Sequence, residues 1–151
     1  MINLITTDSI RAQLKQFDSF WGRKISNTQQ LLDSKYLLLS PEEAQKLVKE
    51  ANKYIGEFFG AKETEVPYLW REMSHDCDNF AGELVSFSNM ISARKGGTSA
   101  QPAIFRIVAE NTGVVHAYNI IFTSNGIYFV DLTKGADIWK MKEKPNIIGF
   151  G

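Results

Sequence analysis

The segment HDCDNFAGEL, residues 75–84, contains the only cysteine of the chain, Cys77, between two aspartates. The spacing of the apolar residues that follow predicts a helix that begins near Cys77. The positive end of a helix dipole stabilises a thiolate over a thiol, so a cysteine at this position could act as a nucleophile. The same side chain could instead be a metal ligand together with His75, or a small buried apolar group. The choice depends on which residues the fold brings to Cys77.

A histidine and an aspartate lie in two later segments rich in β-branched and aromatic residues, VVHAYNIIFT and GIYFVDLT. Asn125 and Gly126 between these segments favour a tight turn, which predicts an antiparallel hairpin with His116 on the first strand and Asp131 at the end of the second. A turn centred between Asn125 and Gly126 places Asp131 opposite residues 119–121. A shift of one or two residues, a bulge or a strong twist is then needed to bring the carboxylate to the imidazole. The sequence therefore leaves their contact open.

Other patterns predict the elements that hold these residues. Apolar side chains at helical spacing predict an N-terminal helix, namely Ile10, Leu14, Phe17 and Trp21. Ser40 followed by Pro41 predicts the start of a second helix. The segment AIFRIVAE and the two strands of the hairpin predict an antiparallel sheet of at least three strands. Helices followed by strands predict an α+β fold, in which N-terminal helices pack on an antiparallel β-sheet.

Length and composition indicate one ordinary folded domain. The chain has 151 residues, 44% of them hydrophobic, and its 17 basic side chains balance 17 acidic ones. This profile excludes a disordered chain, and the scattered basic residues lack the cationic stripe of a nucleic-acid-binding surface. The first twenty residues hold no apolar run long enough for a signal peptide or a membrane span. We therefore expect a cytoplasmic protein without a membrane partner, and its oligomeric state is not determined by the sequence.

Four segments occur in the order typical of a known superfamily: KYLLLSPEEA, HDCDNFAGEL, HAYNIIF and YFVDLTKG. Together they resemble the papain-like and transglutaminase-like cysteine peptidase superfamily, most closely the papain-like C-terminal domain of mushroom agglutinins and its bacterial and phage relatives. The resemblance implies a single papain-like domain over residues 1–151, with a core at 35–135 and an N-terminal helical extension at 1–34.

The resemblance also implies roles for individual residues. Cys77 would be the nucleophile, His116 the general base and later the acid, and Asp131 the group that orients the imidazole. Relatives of the agglutinin type depend on calcium, which implies Asp76 and Asp78 as metal ligands; no other cofactor is implied. Structural roles are also open, because His116 could bond a backbone carbonyl and Asp131 could cap the turn after its strand.

The main functional prediction is a cysteine-dependent hydrolase or acyl-transferase, most simply a peptidase that acts on a peptide or protein. The alternative is a non-catalytic binding module, such as a phage or bacterial accessory protein, that keeps the papain-like scaffold and its cleft. Arg71 and Glu72 stand where papain-like enzymes have an oxyanion-hole glutamine, and Asn79 replaces an acid of the relatives, so both departures favour the alternative. Intact Cys77, His116 and Asp131 favour the enzyme. Transglutaminase-type acyl transfer is a third hypothesis. Four aromatic residues could wall a substrate cleft, although we expect most of them to lie in the core: Tyr68, Trp70, Tyr118 and Trp139.

Overall fold

The computed structural model describes residues 2–72, 75–96 and 99–151. The helices are α1 (Thr7–Leu14), α2 (Pro41–Phe58) and α3 (Cys77–Lys95), and short 3-10 helices lie at Lys15–Phe17, Ile25–Asn27 and Glu63–Leu69. The strands are β1 (Leu4–Thr6), β2 (Lys35–Leu37), β3 (Ile104–Asn111), β4 (Val114–Thr123), β5 (Gly126–Val130), β6 (Trp139–Lys140) and β7 (Asn146–Phe150).

The larger sheet has five antiparallel strands in the order β6-β5-β4-β3-β7, and β1 pairs with β2 in a separate two-stranded sheet. The three predicted β segments form the centre of the larger sheet as β3, β4 and β5. Two strands from the C-terminal segment, β6 and β7, form its edges. The prediction of an α+β fold, with helices packed on an antiparallel sheet, is therefore confirmed.

Local capping explains where the two long helices begin. Ser40 caps α2 directly before Pro41, as predicted. Asp76 caps α3, and its backbone N–H donates in return to the side-chain oxygen of Asn79 at 3.2 Å. The helix consequently begins at Cys77, which is also the predicted position. Neither these helices nor any other in the described part of the chain is long and apolar enough to cross a membrane.

The N-terminal helix is shorter than its apolar spacing suggests. After the N-cap Thr6 it makes only two turns, and a 3-10 turn that buries Phe17 follows it. The carboxylate of Asp18 then accepts the N–H and the hydroxyl of Ser26, which gives the chain an alternative to helical hydrogen bonds. Trp21 is 90% exposed beyond this point. Trp21, the last residue of the predicted helical spacing, therefore lies outside the helix.

The larger sheet lies between two hydrophobic cores. One core joins a face of the sheet to the N-terminal segment and contains Ile10 and Ile120. The second joins the opposite face to α2 and α3 and contains Val48 and Ile121. Neighbouring residues of β4 enter different cores because side chains alternate along a strand. β4 is therefore covered on both faces, and its first half carries His116.

Candidate functional site

The hairpin of β4 and β5 brings His116 and Asp131 into direct contact. Asn119 pairs with Val130, because the turn is centred on residues 124–125, one position earlier than predicted. This difference moves each cross-strand partner by two residues and places Asp131 beyond the strand end on the same face as His116. His116 Nε2 consequently lies 2.7 Å from Asp131 Oδ2.

The carboxylate of Asp131 is buried and held by the turn that follows β5. Its exposed fraction is 4%. Oδ1 accepts the backbone N–H of Thr133 at 3.0 Å and the hydroxyl of the same residue at 2.6 Å. Lys134 Nζ lies 4.0 Å from Oδ2. Asp131 therefore caps its turn with one oxygen while the other oxygen holds the imidazole of His116.

Cys77 is the first residue of α3, and its sulfur lies against the backbone of β4. Sγ accepts the N–H of Ala117 at 3.5 Å. Since β5 ends at Val130, opposite Asn119, Ala117 lies beyond the end of β5, where its N–H faces the helix. Among residues 2–72, 75–96 and 99–151, no hydrogen bond joins Sγ to the imidazole of His116. The fold thus brings the three predicted residues to one place without a bond between thiol and ring.

Asp76 and Asp78, the two implied calcium ligands, make other contacts. The Asp76 carboxylate accepts the N–H of Asp78 at 3.3 Å, and Asp78 Oδ1 lies 2.8 Å from Nη1 of Arg106. The Nε of Arg106 donates to the carbonyl oxygen of Gly151 at 2.7 Å. The described residues contain no group of three or more His, Cys, Asp or Glu side chains that could hold one metal ion, whereas calcium takes about six to eight oxygen ligands. The arrangement of these side chains does not fit calcium. Calcium binding therefore rests on the sequence resemblance alone.

His75 is engaged through both ring nitrogens. Nδ1 lies 3.0 Å from the carbonyl oxygen of Leu69, and Nε2 lies 2.8 Å from a carboxylate oxygen of Glu83. The ring also packs on Phe80, with 4.3 Å between centroids. These contacts fasten the segment before α3 to the helix, so they leave no nitrogen of His75 for a metal shared with Cys77.

Three rings form a stack beside the site, and we call His116, Tyr118 and Trp139 the aromatic strip. The centroids of the first two lie 5.8 Å apart with 26° between planes, and those of the last two lie 6.2 Å apart with 27° between planes. Burial raises the pKa of Tyr118, and the charge of Asp131 raises it further. The indole of Trp139 is 44% exposed. The strip therefore runs from the surface to the imidazole.

A cavity of about 650 Å³ lies beside the turn that holds Asp131. Its lining includes Thr133 and Lys134 from that turn and Tyr68 from the segment before α3. Of the four aromatic residues considered for a cleft wall, Tyr118 stacks on His116, Trp139 stacks on Tyr118, and Tyr68 lines this cavity.

Three residues that shape the site were not predicted: Thr133, Arg106 and Asn119. The side-chain amide of Asn119 donates to the carbonyl oxygens of Ala81 and Phe105. Only Thr133 has a local signal, since an aspartate two residues before a threonine at a strand end is typical of a side-chain-capped turn. Arg106 and Asn119 join elements that are distant in the sequence, so no local pattern indicates them.

Comparison with known proteins gives matches among solved structures only: no family model and no curated protein matches the chain. A chain of Polyporus squamosus lectin, solved with the epitope Neu5Acα2-6Galβ1-4GlcNAc, aligns with a TM-score of 0.66 and 13% identity over 97% of this chain and 49% of the lectin chain. PSL1a in its complex with E64 aligns with a TM-score of 0.62 and 14% identity over 89% and 45% of the two chains. This chain shares its fold with a mushroom lectin. It spans about half the length of the matching chains.

The lectin match corrects the main functional prediction. The expectation of a cysteine protease is not supported, because the match at 13% identity is to a chain described as a lectin and it shows a shared fold and not a peptidase activity. Sγ of Cys77 accepts the backbone N–H of Ala117, and within the described residues the thiol makes no hydrogen bond with the imidazole of His116. The relation to mushroom agglutinins holds at the level of fold, and membership of the peptidase superfamily is not shown.

Proposed function

We propose that this chain is a non-catalytic ligand-binding module whose ligand lies against the aromatic strip. The strip is the observation that carries the proposal: the half-exposed ring of Trp139 stacks on Tyr118, which stacks on His116. Partly exposed aromatic rings beside a few fixed polar groups are typical of ligand sites. The likeness in fold to a lectin chain supports a binding function.

A saccharide is the ligand class that this surface fits. The apolar face of a sugar ring packs on an indole such as Trp139, and sugar hydroxyls can exchange hydrogen bonds with the imidazole of His116, which Asp131 holds in place. The matching lectin chain is bound to Neu5Acα2-6Galβ1-4GlcNAc. The match covers only 49% of that lectin chain. Binding of the same sugar by this chain is therefore a proposal.

The test is an NMR titration of isotope-labelled protein with that oligosaccharide and with a panel of neutral and acidic sugars. Changes in the amide chemical shifts report binding. Two tryptophans provide matched variants, since Trp139 is 44% exposed and Trp70 is 45% exposed. We expect Trp139→Ala to weaken binding about tenfold, which corresponds to ~1.4 kcal/mol. Trp70→Ala should bind like the wild type.

The outcomes separate the proposal from its rivals. No shift with any sugar, or equal loss of affinity in the two tryptophan variants, would refute saccharide binding at the aromatic strip. Unstructured peptides form a second arm: binding of a peptide without binding of a sugar would favour the peptide or protein partner predicted from the sequence. A single domain over residues 1–151 and a cytoplasmic location stay predictions.

A further inference from the structure

Asn119 is a polar side chain in the middle of the sheet that connects three elements. It is 1% exposed. Its Nδ2 donates to the carbonyl oxygen of Ala81 in α3 at 2.9 Å and to that of Phe105 in β3 at 3.3 Å. One amide on β4 therefore holds both the neighbouring strand and the helix that begins with Cys77.

The contact between Asn119 and Ala81 joins β4 to α3, as the contact between Ala117 and Cys77 does, about one helical turn further along α3. Ala81 follows Cys77 by four residues on one face of α3, and Asn119 follows Ala117 by two residues on one face of β4. Four helical residues rise about 6 Å, and two strand residues rise about 6.8 Å. The near match lets α3 run alongside β4 with both contacts in register.

The unpaired side-chain carbonyl oxygen of Asn119 indicates that this residue does not stabilise the hydrophobic core. Oδ1 is buried and has no hydrogen-bond partner within the described residues. A buried acceptor without a donor destabilises a fold, and an apolar side chain at this position would remove that cost. The two bonds made by Nδ2 are then the contribution that an apolar residue cannot supply.

We infer that Asn119 is a positioning residue, whose side-chain amide fixes the first turn of α3 on β4 and thereby holds the Cys77 sulfur on the N–H of Ala117. The inference concerns the site beside the aromatic strip in the proposed function, and it does not depend on which ligand binds there. It adds to the site a residue that touches neither the thiol nor the imidazole.

The test uses the NMR signal of the Ala117 amide, because this N–H donates directly to Cys77 Sγ. Cys77→Ala removes the sulfur, so it gives the reference signal of an Ala117 amide without this hydrogen bond. In Asn119→Leu we expect the Ala117 signal to move toward that reference and its hydrogen exchange to become faster. The melting temperature should change little, because leucine also removes the unpaired Oδ1.

Two further variants keep the outcome decisive. Ile120→Val is the control, since Ile120 is fully buried next to Asn119 but faces the opposite core, and it should leave the Ala117 signal in place. Asn119→Ala replaces Asn119→Leu if the leucine variant does not fold. An unchanged Ala117 signal in a folded Asn119 variant would overturn the inference. No ligand is used, so failure of sugar binding would leave this result intact.

Discussion

Replacement of Asp131 by alanine removes one acceptor that serves three donors. The donors are the N–H and the hydroxyl of Thr133 and the Nε2 of His116. A hydrogen bond to a charged group contributes about 1.5–3 kcal/mol, which sets an upper limit of about 9 kcal/mol for the three. Thr133 and His116 are both partly exposed, so water can replace part of what is lost. We expect the free energy of unfolding of Asp131→Ala to fall by about 2–4 kcal/mol.

Urea unfolding at neutral pH, followed by tryptophan fluorescence, measures this loss. Thr133→Val removes the hydroxyl and keeps the backbone N–H, so it should lower the free energy of unfolding by about 1–2 kcal/mol. Asp137→Ala is the matched control. Its carboxylate is 91% exposed and lies 3.7 Å from Lys49 Nζ, and such surface pairs contribute less than about 1 kcal/mol.

The comparison can fail in two informative ways. If Asp131→Ala is no more destabilising than Asp137→Ala, burial of the Asp131 carboxylate opposes folding as strongly as its hydrogen bonds favour it, and the reasoning is refuted. If Asp131→Ala and Thr133→Val cause equal losses, the bonds of Asp131 to His116 and to the Thr133 N–H together contribute nothing to stability. The buried carboxylate would then act on the turn alone.

Two more predictions concern calcium and the ionisation of Asp18. Calcium at millimolar concentration should leave the melting temperature unchanged, because Arg106 already pairs with Asp78; a rise that disappears in Asp78→Ala would restore the calcium site. Burial alone would raise the pKa of Asp18, but hydrogen bonds from the hydroxyl and N–H of Ser26 hold that pKa below its ordinary value. A lowered pKa stabilises the fold above the ordinary carboxyl pKa, and this stability disappears as pH falls through the folded-state value. Asp18→Asn should therefore lower the melting temperature at neutral pH but not in strong acid, and equal changes at both would contradict this.

Features that depend on neighbouring residues could be predicted from the sequence. The starts of α2 at Pro41 and of α3 at Cys77 follow from the capping residues directly before them. The three central strands follow from runs of β-branched and aromatic residues. The order of helices and strands was then sufficient for the α+β class.

Features that depend on a choice between similar local structures could not be predicted. The tight turn after β4 was evident, but its centre between residues 124 and 125 was not, and that single position decides whether Asp131 faces His116. The hydrogen bond that Ser26 donates to Asp18 likewise competes with continuation of the helix. The spacing of apolar residues gives no indication of this bond. Long-range contacts such as that between Arg106 and Asp78 leave no local trace.

The order of the motifs predicts the fold but not the contact between thiol and imidazole. Cys77, His116 and Asp131 occur in the order that the resemblance implies, and the chain shares its fold with a lectin chain. Activation of a thiol needs a bond between sulfur and imidazole, which depends on how α3 sits on β4. Segment order does not encode that distance, because it results from packing of residues such as Asn119.

The bond between His116 and Asp131 also decides which protons the imidazole carries. An ionised carboxylate can only accept, so the Nε2 of a neutral ring keeps its hydrogen and that ring is the Nε2–H tautomer. Nδ1 then has a lone pair and no hydrogen. A neutral His116 can therefore accept a hydrogen bond from a ligand hydroxyl but cannot donate one, and a protonated ring reverses that polarity. Asp131 thus fixes, from its buried position, that a neutral His116 presents Nδ1 to a ligand as an acceptor.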